Sequence, residues 1–433
     1  MEQAVQVGVI GCGTVGTGVA RALLDKAHLL EERIGTRIAL KWVCDRKRPK
    51  TLRLPPNRFT RDARVILNDP DVQIVVELIG GIHPAKEFIT AALRSGKHVV
   101  TANKALLAEA GHELFALANR SGVDLFFEAS VGGGIPIIKS LRESLLANEL
   151  NAILGIVNGT SNYILTQMRE KRLSFHEALL EAKQHGYAER KPSLDIEGRD
   201  AAHKLAILAW LGFGTRVRLA DVHTEGISQV SQADIQYADG LGYCIKPLAI
   251  AKRVENRLEV RVHPTLLERS HLLANVNGVY NAVYVHGDLV GAQLFYGRGA
   301  GQNPTASSVI SDIADIARNV TLGVAGRIPT QISTNHALRL RRMDDIDSRY
   351  YLRFTVADKP GVLAQIAGIL GRNKISIASV HQKERLAARI VHVVIMTHDA
   401  REANVRRALK AIDGFSTVKS KTVALRTEAP KRP

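Results

Sequence analysis

Four residues in the segment 186–204, GYAERKPSLDIEGRDAAHK, have the chemistry to act on a small polar molecule: Glu189, Asp195, Asp200 and Lys204. Asp200 and Lys204 are four positions apart, so on a helix they project from one face about one turn from each other. A lysine beside a carboxylate is a combination that proton transfer can use. The plain alternative is a solvated surface ion pair, worth about a few tenths of a kcal/mol. The surrounding pattern decides between the two.

A short apolar strand pattern, Val5–Ile10, runs into Gly11-Cys12-Gly13-Thr14-Val15-Gly16 and then a helical pattern over 17–32. This is a dinucleotide fingerprint in its proper place. One glycine permits the tight turn, one lets backbone approach a pyrophosphate, and one allows close packing at a helix N-terminus that favours an anion. Strand and helix patterns continue to alternate over 72–79, 84–95, 98–101, 105–120 and 123–128, predicting a doubly wound parallel sheet. The second strand, 38–44, ends in Asp45-Arg46-Lys47-Arg48, where such folds read the adenosine ribose. An acid there suits the 2′-hydroxyl of NAD, and basic neighbours suit the 2′-phosphate of NADP. Three consecutive basic residues favour NADP, with Arg46 the first choice for its phosphate and NAD left open; a solvated basic turn is the bland reading.

Two further loops close predicted strands where ligands of open α/β sheets collect, Leu78-Ile79-Gly80-Gly81 and Thr101-Ala102-Asn103-Lys104. From the second, Lys104 can reach cofactor or substrate. A third loop, residues 128–136, is glycine-rich, and its carbonyls could hold a hard cation.

The chain has 433 residues, 45% of them apolar, which predicts two or three domains with ample core. There is no apolar run long enough to span a membrane and no secretory leader, so a cytoplasmic protein is expected. Cys12, Cys44 and Cys244 show no pairing or metal-ligand spacing. A net charge of +17, with a basic run over 41–64 and Lys431 and Arg432 in the tail, raises nucleic-acid binding as a possibility. No helix-turn-helix, zinc or aromatic-platform signature accompanies the charge, so anionic small ligands and solvated faces explain it more simply.

After residue 148 the pattern becomes α+β. A strand over 152–158 leads to Gly159-Thr160-Ser161-Asn162, followed by helices near 175–185 and over 198–211, strands near 279–285 and 289–296, and a helix over 305–320. In sequence order, GVIGCGTVG, VVELIGG, GKHVVTANKALLA, FEASVGGGIPII, NGTSNYILT, GYAE, DIEGRDAAHKLAILA and GAGQNPTASSVISD together resemble homoserine dehydrogenase over roughly the first three quarters of the chain. From Tyr350 onward, DKPGVL and ISIASV look like the small regulatory ACT domain, with a readable βαββαβ order.

The resemblance implies an α/β protein with several parts. A Rossmann-type dinucleotide-binding domain spans 1–148 and an α+β substrate-binding and dimerisation domain 149–325, the chain returning to the first domain near 301–325. A linker over 326–348, a ferredoxin-like ACT domain over 349–427 and a tail over 428–433 complete it. It implies reversible NAD(P)-dependent interconversion of L-aspartate 4-semialdehyde and L-homoserine, on the route to threonine and methionine. Lys204 matches the family's proton donor, and Glu189 and Asp200 match residues that hold the amino acid, with Asp195 in support. Lys104 matches a lysine near cofactor and substrate. Thr14, Val15, Gly186 and Gly301 match cofactor contacts, and Glu128 with the carbonyls of Val131, Gly133 and Ile135 matches a structural sodium site. The resemblance further implies a homodimer or homotetramer and feedback by threonine bound between ACT domains, around Asp358, Gly361 and residues 375–382. One departure lies in the key segment: where the family has Ala-Asp after GYAE, this chain has Arg190-Lys191, a charge reversal beside Glu189. Two other readings use the same motifs, a non-catalytic nucleotide and amino-acid sensor and a dehydrogenase of a related amino-acid semialdehyde.

Overall fold

The computed structural model describes residues 4–327, 338–382 and 390–428. Lys431 and Arg432, and most of the expected tail, lie outside them, as does part of the expected linker. The chain forms two compact units. The first comprises Met1–Ile153, His203–Ala220 and Asn281–Leu338, the second Leu154–Ala202, Asp221–Tyr280 and Arg339–Pro433.

In the first unit, six strands form one sheet: β1 (Val5–Ile10), β2 (Ile38–Cys44), β3 (Phe59–Thr60), β4 (Val72–Glu77), β5 (His98–Thr101) and β6 (Leu125–Phe126). All pair in parallel in the order β3-β2-β1-β4-β5-β6. The strands read as continuous apolar runs because helices cover both faces. Val7, Val9, Ile74, Val76 and Val100 are wholly or almost wholly buried, against Val19, Ala20 and Leu23 of the first helix and Val309, Ile313 and Ile316 of the helix Gln302–Leu322. The order reverses between β1 and β4, so the loops after these strands open at the switch point where open α/β sheets bind ligands.

The helix expected over 17–32 is instead two, Thr14–Asp25 and Ala27–Ile34, because Lys26 adopts φ −116° and ψ 18°; nothing in the local composition marks that break. The strand expected over 123–128 shortens to Leu125–Phe126, since Glu128–Ser130 already turns as a 3-10 helix.

The second unit contains two long strands absent from the sequence reading, Tyr243–Val254 and Arg257–Glu268, paired antiparallel along their whole length. Lys246, Arg261 and His263 broke their apolar pattern, yet all three are buried. Their polar ends are partnered: Lys246 Nζ donates to Val276 O at 2.6 Å, and Arg261 Nη2 to Glu428 at 2.9 Å.

The C-terminal βαββαβ order is present. Strands Tyr350–Ala357, Ile377–Gln382, Ile390–Thr397 and Val418–Glu428 alternate with helices Val362–Arg372 and Glu402–Asp413. The last strand also pairs in parallel with Arg257–Glu268, Thr265 opposite Arg426, so the two sheets are continuous within this unit. Strand alternation then buries both faces. Tyr350, Leu352, Phe354 and Ile395 pack with Ile366, Leu370 and Val405 of the two helices, whereas Tyr351, Val394 and Leu425 pack with Ile164, Met168 and Ile235.

Candidate active site

The glycine-rich loop is built as its spacing predicts. Gly11 takes φ +96°, and a Cβ on Gly16 would stand 2.0 Å from the Gly11 carbonyl oxygen, so neither position admits a side chain. Gly13 differs: a Cβ there meets nothing within 4 Å, so the missing side chain leaves an open approach to backbone. Thr14, Val15 and Gly16 form the first turn of the helix that follows, and no side chain caps its N-terminus. Its first amides are therefore available to an anion.

Gly301, with φ +122°, begins the helix Gln302–Leu322, and Gln302 Nε2 donates to the Thr14 carbonyl at 3.1 Å. The Gly301 loop is thus brought against the fingerprint, and two helix N-termini converge there. The empty approach over Gly13 and these unpaired amide ends fit a dinucleotide pyrophosphate.

At the end of β2 the Asp45 carboxylate accepts the Cys12 amide at 2.6 Å and the Lys47 amide at 3.3 Å. Arg48 is committed to structure, donating to the Leu54 carbonyl and lying 5.9 Å over the Phe59 ring. Arg46 and Lys47 are exposed.

Lys104 starts the helix Lys104–Ser121, and a buried network positions it. Asn103 caps that helix through Leu106 N at 3.2 Å and donates to the Gly81 carbonyl at 2.6 Å. Glu77, wholly buried at the end of β4, accepts Ile79 N at 2.8 Å, Gly80 N at 3.3 Å and the Thr101 hydroxyl at 2.7 Å. Burial pushes the Glu77 carboxyl up, and the bonds from Thr101 and the loop amides pull partly against that. The sequence reading passed over Glu77; the available signal was an acid closing an otherwise apolar strand.

Glu128 is 4% exposed, and its two oxygens accept Ile138 N at 2.9 Å and Lys139 N at 2.7 Å. Its own amide donates to Asp312 at 2.8 Å. Burial pushes the Glu128 carboxyl up to about 7 and Asp312 well up too, with Glu128 adding to the rise. Val131, Gly133 and Ile135 are buried in the same loop, and the Gly133 carbonyl accepts the Ser308 hydroxyl at 2.7 Å. Glu128 and the carbonyls of this loop are oxygen donors of the kind a hard cation takes, with the Ile135 carbonyl also accepting Ile137 N at 2.8 Å. No cluster of three or more His, Cys, Asp or Glu suited to a metal ion occurs among the described residues.

In the second unit, Asp195 and Asp200 come together through a residue the sequence reading did not single out. Asn158 Nδ2 donates to Asp195 Oδ1 at 2.7 Å and Asp200 Oδ2 at 2.9 Å, while its Oδ1 caps the helix Gly159–Glu170 through Ser161 N at 2.8 Å. The Ser161 hydroxyl also donates to the Asp195 carbonyl at 2.9 Å. The signal was the N of NGTSN, an N-cap residue immediately before a helix.

The acids do not share one helix start. Asp195 lies on a short helix, Ser193–Ile196, and Asp200 in the first turn of Arg199–Phe213. Glu189, Arg190 and Lys191 are exposed in the preceding turn, as is Gly186 at φ +72°. Lys204 lies one turn beyond Asp200, and each is only 8% exposed, which removes the solvated ion pair as an account of them.

Similarity to known proteins runs the length of the chain. The NAD-binding domain family of homoserine dehydrogenase matches residues 11–128, the homoserine dehydrogenase family residues 136–314, and the ACT domain family residues 350–414. A homoserine dehydrogenase from Neisseria gonorrhoeae is 45% identical over 429 residues, 98% of this chain and 99% of the relative. The crystal structure of a homoserine dehydrogenase from Thiobacillus denitrificans is 44% identical with a TM-score of 0.93, covering 99% of each chain. A hyperthermophilic archaeal homoserine dehydrogenase mutant, solved in complex with NADPH, is 27% identical with a TM-score of 0.63, covering 74% of this chain and 98% of its own.

Proposed function

The chain belongs to the homoserine dehydrogenase family, and on that premise we propose how its residues divide the work of the reaction. The enzyme is an oxidoreductase that reduces L-aspartate 4-semialdehyde to L-homoserine with a nicotinamide dinucleotide bound by its N-terminal domain. This reading displaces both the non-catalytic sensor and the dehydrogenase of another semialdehyde.

The bound dinucleotide supplies the hydride. Gly11, Gly13, Thr14, Val15 and Gly16, with Gly301, would hold it, the open backbone at Gly13 taking the pyrophosphate, and Gly186 is a further cofactor contact by resemblance to the family. Lys204 gives a proton to the oxygen as the aldehyde is reduced and takes it back in the reverse direction. Its burial one turn from Asp200 supports this role, because a lysine held out of bulk water can pass its proton to a reacting oxygen in the site rather than to solvent. Asp200, Asp195 and Glu189 hold the substrate ammonium, and Lys104, at a helix start, polarises the carbonyl or meets the carboxylate. The single observation that carries the assignment is the Asn158 amide tied to both Asp195 and Asp200, one helical turn before Lys204.

NADP is the favoured cofactor. Asp45 is engaged with the glycine loop while Arg46 is exposed at the ribose end of β2, and an archaeal relative was solved with NADPH. Glu128 and the carbonyls of Val131, Gly133 and Ile135 are the residues that would hold sodium, which would serve a structural role. Threonine acts at the ACT domain around Asp358, Gly361 and residues 375–382, in a homodimer or homotetramer in the cytoplasm. No helix among the described residues is long and apolar enough to cross a membrane.

Replacing Lys204 by Ala tests the assignment. General acid–base groups contribute about 10²–10⁴-fold, so turnover of homoserine with NADP falls by roughly that factor while NADP affinity, read by fluorescence titration, stays within about twofold. Turnover close to wild type would remove Lys204 from the proton transfer.

A further inference from the structure

The short helix Ser193–Ile196, which carries Asp195, is gripped on two sides within the second unit. Asn158 and Ser161 hold it through the Asp195 carboxylate and carbonyl at 2.7 and 2.9 Å. On another side the segment 224–227 lies directly against it: Ile227 N donates to the Ile196 carbonyl at 2.9 Å. The approach at Gly226 is closer still, since a Cβ there would stand 2.4 Å from that same carbonyl oxygen and 2.8 Å from Glu197 Cα. Any displacement of residues 225–227 is therefore felt by the Ile196–Glu197 peptide, one residue beyond Asp195.

Glu225 anchors this segment. Its backbone amide donates to Val262 O at 2.8 Å. Its carboxylate meets Arg426 through two parallel bonds, Nη1 to Oε2 at 2.9 Å and Nη2 to Oε1 at 3.0 Å, and His223 Nε2 lies 2.7 Å from Oε1. Arg426 belongs to the last strand of the ACT domain. Its other face is held by Glu402, Nε to Oε2 at 2.8 Å and Nη2 to Oε1 at 2.7 Å, and the Tyr350 hydroxyl donates to Glu402 at 2.6 Å. Arg426 and Glu402 are 5% and 3% exposed. Burial alone would push the Glu225 carboxyl up, but His223 and the Arg426 guanidinium hold it well below the usual range.

We propose that Glu225 and Arg426 are a positioning pair for substrate binding: the ACT strand, through Arg426, fixes Glu225, which sets residues 226–227 and so the Asp195 end of the ammonium site. The pair touches no reacting atom. It makes the last ACT strand part of the substrate scaffold. The inference rests on the assignment of Asp195 and Asp200 to the substrate, which the experiment tests separately.

The measurement is steady-state kinetics of full-length Glu225→Gln, with Asp200→Asn and Tyr350→Phe alongside, and melting temperature for each. Gln at 225 keeps one acceptor oxygen for Arg426 but loses the charge and the second parallel bond, and the resulting shift of Asp195 is read as a change in substrate affinity. Glu225→Gln is therefore expected to raise the homoserine KM about tenfold, with kcat and the NADP KM within about twofold. Tyr350→Phe, which loosens Glu402 and leaves Glu225 paired, keeps the homoserine KM. Should Glu225→Gln fail to fold, Arg426→Lys, which keeps one charge but loses the fork, shows a smaller rise of the same KM alone. An unchanged homoserine KM in folded Glu225→Gln overturns the inference, as does an equal rise in Tyr350→Phe, which would mean diffuse loosening. If Asp200→Asn raises the homoserine KM and Glu225→Gln does not, the substrate assignment stands and the pair falls. If neither moves it, both fall.

Discussion

Asn158 donates both amide hydrogens to carboxylates and uses its oxygen as a helix cap, so one side chain fixes two acids from separate helices relative to a third. An N-cap is worth about 1 kcal/mol, and each bond to a charged group about 1.5–3 kcal/mol. Asn158→Ala is accordingly expected to lower the melting temperature by about 4–8 °C for a protein of this size. It should also raise the homoserine KM about tenfold or more, with the NADP KM unchanged. A melting-temperature drop without a KM change would reduce Asn158 to a cap. Arg190 and Lys191, which depart from the family pattern, are exposed beside Glu189. They therefore add charge to that turn without burying it.

The strand–turn–helix that opens the chain shows how two glycines of one motif can answer to different causes. Gly16 has no room, with the Gly11 carbonyl oxygen 2.0 Å from where a Cβ would stand, whereas Gly13 has room that a ligand would use. Gly16→Ala is expected to strain the turn by about 1–3 kcal/mol, lowering the melting temperature by about 2–8 °C. Gly13→Ala should leave stability within about 1 °C and raise the NADP KM by about tenfold or more, as a methyl meets the pyrophosphate. Differential scanning fluorimetry with and without NADP separates the two outcomes. Equal loss of stability in both variants would mean that Gly13 serves the turn alone. Glu77 works at the same scale, tying the loops after β4 and β5 so that Lys104 leaves a fixed helix start.

For the molecule as a whole, the large positive charge is partly paired with acids and carbonyls of the same chain, some of these pairs at the surface. Lys41 meets Asp69 at 2.8 Å and Asp71 at 2.7 Å, Arg64 meets Asp62 at 2.8 Å, and Arg58 donates to the Leu40 carbonyl at 3.2 Å. The charge with the clearest thermodynamic consequence is the buried one at Glu128, held at about 7 against an ordinary 4.5. Between those values the unfolded chain loses a proton that the folded protein keeps, so stability falls as pH rises through the window and levels off above it. The loss is at most about 3 kcal/mol. A cation beside Glu128 favours the carboxylate and offsets that loss. Replacing choline chloride by sodium chloride at equal ionic strength is therefore expected to raise the melting temperature by about 2–4 °C at pH 8 and very little at pH 5. Glu128→Gln should abolish the difference; a sodium effect equal at both pH values would place the ion elsewhere.

Much of this protein is determined locally. Five of the six strands of the first sheet, the glycine loop and the C-terminal βαββαβ order are legible because apolar runs, turn residues and helix periodicity are short-range properties of the chain; the two-residue strand Phe59–Thr60 is too short to carry such a pattern. Asp200 and Lys204 are legible as a pair for the same reason: a helix sets their spacing. What tertiary structure alone decided is long-range. It buried that pair, and it turned the polar-studded runs 243–254 and 257–268 into central strands whose charges find partners elsewhere in the fold, Lys246 on a loop and Arg261 on the last strand. It also joined Asp195 to Asp200 through Asn158, and Glu225 to an arginine about 200 residues away. A buried charge reads as a loop in sequence because its partner is what makes it affordable, and that partner is set by the fold rather than by neighbours along the chain.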